Sequence, residues 1–93
     1  MTHYDAVQNY AGSLAALAED IGNLRYDALA EFLTLLAAKI AQDGQKDAGR
    51  GRSQLAAVLH SSAAELAASA EHIEKAWQVA KPFMLAEDGL TRG

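Results

Sequence analysis

Small and aliphatic residues recur in the second half of the chain at alternating steps of four and three positions. The series is Leu55, Leu59, Ser62, Leu66, Ser69, Ile73, Ala76 and Ala80. Steps of four and three keep side chains on one stripe of an α-helix, where a neighbouring helix can pack against them. A β-strand alternates every second residue and would not give this spacing. The feature therefore predicts a long helix inside a helical bundle.

The ends of this helix are set by capping residues and by proline. Ser53 can cap its first turn, or Asp47 can cap it earlier. Pro82 is expected to end it near Ala80, because proline disfavours helical geometry at the residue before it. We therefore predict one bundle domain over residues 1–82 and a partly disordered tail over residues 83–93.

Two further helices are predicted upstream. The first runs from Tyr4 to Asp20, with a stripe formed by Val7, Tyr10, Leu14, Leu17 and Ile21. Gly22 is expected to stop it in a left-handed conformation, and Asn23 to cap the next helix. The second runs from Leu24 to Gln42, and a loop with three glycines, residues 43–52, follows it.

The second helix is too apolar for a single neighbour. Leu29, Leu33, Leu36 and Ile40 form one stripe, which Phe32 and Leu35 widen. A helix that is apolar on more than half of its circumference is usually buried on two sides. The predicted fold is an all-α, up-down-up antiparallel bundle of three helices that a homodimer completes. The predicted interface on this helix consists of Leu29, Phe32, Leu33 and Leu36.

A second series in the third helix has a period of seven: Ala56, Ala63, Ala70 and Trp77. Small residues let another helix approach closely, so this series indicates a groove closed by one large side chain. Ala63, Ala70 and Trp77 complete the predicted interface. An alternative is a cavity near Trp77 that binds a small hydrophobic ligand.

Composition argues against several classes of function. The chain has no cysteine, which excludes disulfides and thiolate chemistry, and its net charge of -4 gives no general attraction to nucleic acid. No signal peptide and no run of about 18 apolar residues is present, so we expect no membrane contact and a cytoplasmic location. We predict no catalytic residue, no metal site and no cofactor.

Two histidines bracket the alanine-rich stretch. On a helical wheel His60 faces solvent and His72 lies on the opposite flank, so the two cannot bind one metal ion within a monomer. The E-x-x-H motif of dinuclear carboxylate sites is missing, because Ala57 and Ser69 stand three positions before the histidines.

The stretch LHSSAAEL, residues 59–66, resembles the H-x-x-K-G pattern of histidine phosphotransfer domains at its histidine. Ala63 and Ala64 stand where that family has lysine and glycine. The resemblance implies a helical bundle in which His60 would accept a phosphoryl group, without the basic residue that would meet it.

Arg50 and Arg52 precede the third helix. Cations at a helix N-terminus oppose the helix dipole unless an anion lies between them and the backbone amides. They could form an anion-binding site, or they could be solvated with Asp43 and Asp47 as counterions.

The leading hypothesis is a non-enzymatic helical interaction or regulatory module that acts as a homodimer, with an unidentified protein as a possible further partner. The alternatives are the hydrophobic-ligand binder and the histidine phosphotransfer-like protein.

Overall fold

A computed structural model describes the backbone of residues 3–92 and the side chains of residues 3–84. Within that part, the chain forms three helices, α1 (Leu14–Gly22), α2 (Tyr26–Gly49) and α3 (Ser53–Arg92), and no strand. The all-α prediction is therefore confirmed. Only α2 and α3 make extensive contact with each other among these helices.

The first helix is much shorter than its apolar stripe suggested. It begins after Ser13, whose Oγ accepts a hydrogen bond from the Ala16 N–H at 3.1 Å. Gly12 precedes this cap, and the low helix propensity of glycine favours a start beyond it. The prediction that the helix begins at Tyr4 is wrong, and Val7 and Tyr10 lie outside it.

The junction between α1 and α2 also differs from the expectation. Gly22 is the last helical residue and does not take the left-handed conformation, and Asn23 follows it with φ −84°. The N-cap of α2 is Arg25, which makes no side-chain capping hydrogen bond. Two sequence-based predictions, the left-handed stop at Gly22 and the Asn23 cap, are therefore wrong.

The second helix continues through most of the predicted loop. It ends at Gly49 rather than Gln42, so the connection to α3 is only residues 50–52. Lys39 donates hydrogen bonds to both carboxylate oxygens of Asp43 at 2.6 and 2.8 Å, which is a favourable pairing one turn apart on a helix. Gly51, with φ +78°, takes the left-handed conformation that reverses the chain.

The third helix passes through Pro82 without ending. It contains 40 residues and is about 60 Å long, whereas the sequence suggested an end near Ala80. Proline removes one intrahelical hydrogen bond, and its effect on the preceding residue is a bias that a continuing helix can override. The prediction that Pro82 ends the helix is wrong; the predicted disorder of the tail stays a prediction.

The short turn makes α2 and α3 an antiparallel hairpin. The guanidinium of Arg25, just before α2, lies 5.2 Å from the centre of the Trp77 ring, which fixes the level of the two helices at the open end. The part of α3 that follows Trp77 extends beyond α2. The radius of gyration is 16.6 Å, against about 12 Å for a compact domain of this length.

Candidate interaction surface

A line of small residues joins the two helices of the hairpin. We call it the seam, and its buried members are Ala30, Ala37 and Gly44 on α2 and Ala56, Ala63, Ala70 and Trp77 on α3. Each helix repeats at seven positions, so the seam follows one stripe along both. Small side chains let the two backbones approach closely. The period-seven series noticed in the sequence of α3 is thus one half of this seam.

One side of the seam is polar. An open groove there, with a volume of about 410 Å³, is lined by Asp27, Ala30, Glu31, Thr34, Ala67, Ala70, Glu71 and Glu74. Thr34, Ala67 and Glu74 each stand four positions after a seam residue of their own helix. The positions four after a seam residue therefore lie on the same side of the hairpin in both helices.

The other side of the seam is apolar. Positions three after a seam residue point away from the groove, because they lie on the opposite flank of the helix. We call this side the apolar face, and define it by Leu29, Leu33, Leu36 and Ile40 on α2 and Leu59, Leu66 and Ile73 on α3. All seven side chains are only partly buried within the chain.

Among the described side chains, the small residues of the seam are buried, whereas the large apolar residues beside it are buried only in part. Among the residues with described side chains, no leucine, isoleucine, valine or phenylalanine is buried, and Trp77 at 9% exposure is the only large apolar residue in the core. Folded chains ordinarily bury leucine and isoleucine most often. The apolar face is therefore only partly covered inside the described part of this chain.

The elongated chain also exposes more area than a compact monomer of its mass. The chain exposes 6875 Å². A compact monomer of 9.9 kDa would expose about 5,200 Å². The difference, about 1,700 Å², is roughly twice the ~800 Å² that each partner buries in a stable interface of standard size. The projecting end of α3, where Phe83 is 71% exposed, contributes part of it.

The residues predicted to form an interface fall into two groups. Leu29, Leu33 and Leu36 belong to the apolar face, and Phe32 lies at its edge, half-buried. Ala63, Ala70 and Trp77 instead lie in the seam, against α2 of the same chain. The structure thus brings the α2 residues together on a surface that a partner can reach, and places the α3 residues inside the hairpin.

The stripe that the sequence suggested as the core of α3 lies beside the true seam. Leu59, Leu66 and Ile73 are half-buried, and Leu55 and Ser69 are exposed. The nearest helix packs on the smaller residues one position along, since these allow the closest approach. The missed signal was the matching period of seven in α2, at Ala30, Ala37 and Gly44.

Trp77 closes the open end of the seam. The Arg25 guanidinium lies over its ring. The Nε–H of Arg25 also donates a hydrogen bond to Asp27 Oδ1 at 2.8 Å. This hydrogen bond holds the pKa of the Asp27 carboxyl below its usual value. Neither the polar groove nor a depression at residues 51–55 is lined by Trp77.

His60 and His72 lie apart on α3, and both are exposed. The His60 ring rests over Gly44, where an added Cβ would come within 3.0 Å of its Cε1 atom. Gly44 is therefore the point at which the hairpin accommodates an imidazole beside its seam. His60 takes part in the packing of the hairpin.

Arg50 and Arg52 share a counterion at the turn. The Asp47 carboxylate, whose side chain is only 3% exposed, accepts a hydrogen bond from Arg52 Nη1 at 3.2 Å and lies 3.8 Å from Arg50 Nη1. The Arg52 backbone N–H also donates to the Asp47 carbonyl at 2.9 Å. The sequence left two interpretations of these arginines, an anion-binding site or solvated side chains with local counterions. This geometry favours the second, with Asp47 as the counterion. Asp43 pairs with Lys39 instead.

The described residues hold neither a candidate membrane span nor a candidate metal site. No helix there is both long enough and apolar enough to cross a membrane, and no three acidic or histidine side chains there are grouped to hold a metal ion.

In comparisons with known proteins, no family model, no curated protein and no solved structure matches this chain. The surface must therefore be interpreted from its own chemistry.

Proposed function

We propose that this chain is a non-enzymatic helical interaction or regulatory module that acts as a homodimer through its apolar face. The observation that carries the proposal is that alanines fill the seam, while the leucines with described side chains on both long helices are only partly buried or exposed. Burial of apolar area is the main favourable term in protein association, so a surface of this kind favours a partner.

A second copy is the partner that we propose. Homodimers with two-fold symmetry are the commonest soluble assemblies, and their interface uses the same patch on both subunits. The apolar face spans both helices, and in four-helix bundles the apolar sides of two helix pairs pack on each other.

Two adjacent leucines offer a matched test. Leu36 belongs to the apolar face, whereas Leu35 points outward and is 63% exposed. Leu36→Glu would place a carboxylate in the interface, which is costly without a partner for the charge. We expect the wild-type chain and Leu35→Glu to sediment as dimers, and Leu36→Glu to sediment as a monomer.

The outcome that would end the proposal is a wild-type chain that sediments as a folded monomer throughout the micromolar range. Equal association of the two glutamate variants would also contradict it, since the account assigns the interface to only one side of the hairpin. Circular dichroism at the same concentrations shows whether a monomeric variant keeps its helices.

A further inference from the structure

The two phenylalanines of the chain differ in exposure, although both are turned away from the seam. Phe83 lies on the part of α3 that extends beyond α2 and is 71% exposed. Phe32 stands two positions after the seam residue Ala30, which places it about 200° around α2, on the side away from α3. It is nevertheless half-buried. Since α3 does not lie on that side, another element covers Phe32.

This cover is confined to the first turns of α2. Ala28 lies on the same side as Phe32 and is also half-buried. Further along that side, Leu35 is 63% exposed, and Lys39, seven positions after Phe32, is exposed as well. The chain enters α2 from α1 through residues 23–25 only. Among the described residues, the segment before α2 is therefore the one placed to cover this end of the helix.

The segment before α2 also turns apolar residues of its own inward. Leu17 and Ile21 stand one turn apart on α1, and both are half-buried. Leu14, at the start of α1, is 58% exposed, so the burial is restricted to one side of this short helix. We call residues 3–22 the strap, and the half-buried side of α1 is its inner side.

The strap reaches along α2 to the far end of the apolar face. Asp43 stands three positions after Ile40, on the stripe that carries the face. The pKa of the Asp43 carboxyl is lowered first by hydrogen bonds from Lys39, and the charge of His3 lowers it further. His3, at the start of the strap, therefore lies near Asp43. The strap runs along α2 between Phe32 and Asp43, over one edge of the apolar face.

The strap is attached to the hairpin only weakly. Within the described residues, no hydrogen bond or ion pair of the strap reaches α2 or α3. Its side-chain hydrogen bonds are internal, such as the one that the Tyr10 hydroxyl donates to Asp20. α1 has nine residues, fewer than the ~12–15 that an isolated helix needs in water. A segment of this kind opens at a lower free energy than the hairpin beneath it.

From these observations we infer that the strap is an autoinhibitory cover of the apolar face, which a second copy displaces when the dimer forms. This inference rests on the proposed function and adds a regulation of the same interface. The strap and the partner compete for the α2 edge of the face. The apparent dissociation constant of the dimer is then larger than the intrinsic one, because only chains with an open strap can pair.

Two leucines of α1 give a matched test in the full chain. Leu17→Gln weakens the inner side of the strap, whereas Leu14→Gln changes an exposed leucine. Glutamine forms helices nearly as well as leucine, so α1 should persist in both variants. We expect the dissociation constant of the Leu17→Gln dimer, measured by sedimentation equilibrium, to fall about tenfold. That of Leu14→Gln should match the wild-type value.

Ile21→Gln, on the same inner side, is a second variant with the same expected result. A dissociation constant that is unchanged or larger in both inner variants would overturn the inferred strap and leave the dimer standing. Loss of the hairpin helices in both, seen by circular dichroism, would also overturn it, because a displaceable strap does not hold the hairpin together. Monomers in every sample, wild type included, would instead overturn the proposed function, and the inferred regulation with it.

Discussion

The seam and the apolar face are neighbouring stripes on the same two helices, yet they use opposite kinds of residue. The seam is built from alanine and glycine, which remove little apolar area from water and allow close contact. The apolar face is built from leucine and isoleucine, which would contribute far more if buried. The difference indicates that the small residues set how closely the two helices approach, while the larger residues beside them would supply most of the hydrophobic stabilisation in the proposed dimer.

The largest expected effect on stability comes from a larger side chain in the seam. Ala63→Leu places three extra carbon atoms where α2 and α3 are closest, and overpacking of this kind costs about 1–3 kcal/mol. Thermal unfolding measures it, since about 1 kcal/mol shifts the midpoint by roughly 4–8 °C in a chain of this size. Ala64→Leu, at an exposed position, should leave the midpoint nearly unchanged. Equal shifts for the two variants would mean that the seam is not the close contact.

A smaller loss of stability is expected at the end of the seam that lies near the turn. Asp47→Ala removes the buried acceptor of Arg52 and the counterion of Arg50 at the turn. We expect a cost of about 1–2 kcal/mol, because the arginines remain half-exposed and solvent screens part of the interaction. Urea unfolding measures this. Asp43→Ala, which breaks only an exposed pair with Lys39, should cost less, and a larger loss there would contradict the role given to Asp47.

The smallest effect concerns acid pH. The pKa values of Asp27 and Asp43 are lowered, first by hydrogen bonds from Arg25 and Lys39 respectively. A lowered pKa stabilises the fold above the unfolded value of 3.8, and this contribution is lost as the pH falls through the folded value. The urea concentration at the unfolding midpoint should therefore decrease slightly when the pH is lowered below 3.8. Asp27→Asn should reduce that dependence, and an unchanged pH profile would contradict the assignment.

Sequence patterns gave the helical class and half of the seam, but not the helix ends. Glycine and proline suggested breaks at Gly44, Gly49 and Pro82, yet all three lie inside helices. Gly44 is tolerated where the His60 ring needs space. A single side chain also decided the start of α1, since Ser13 caps it while Val7 continues the same apolar stripe outside.

The apolar face was predicted only in part, because the burial of a residue depends on which stripes of two helices pack on each other. The breadth of apolar residues on α2 identified Leu29, Leu33 and Leu36 as residues that need a neighbour. The closeness of the two backbones determines the stripe of α3 that packs on α2. A stripe of small residues allows a closer approach than a stripe of large ones. The sequence of α3 alone favoured the larger stripe through Leu59 and Leu66, and the contact formed on the smaller one.

The central claim is that folding of this chain is coupled to association of two copies. It is tested most directly by urea unfolding of the wild-type chain over a wide range of protein concentrations, with sedimentation of each sample. A dimer that unfolds to separate chains becomes more resistant as concentration rises, by mass action. We predict a midpoint that increases with concentration in samples that sediment as dimers. A midpoint independent of concentration, in a chain that sediments as a monomer, would contradict the claim.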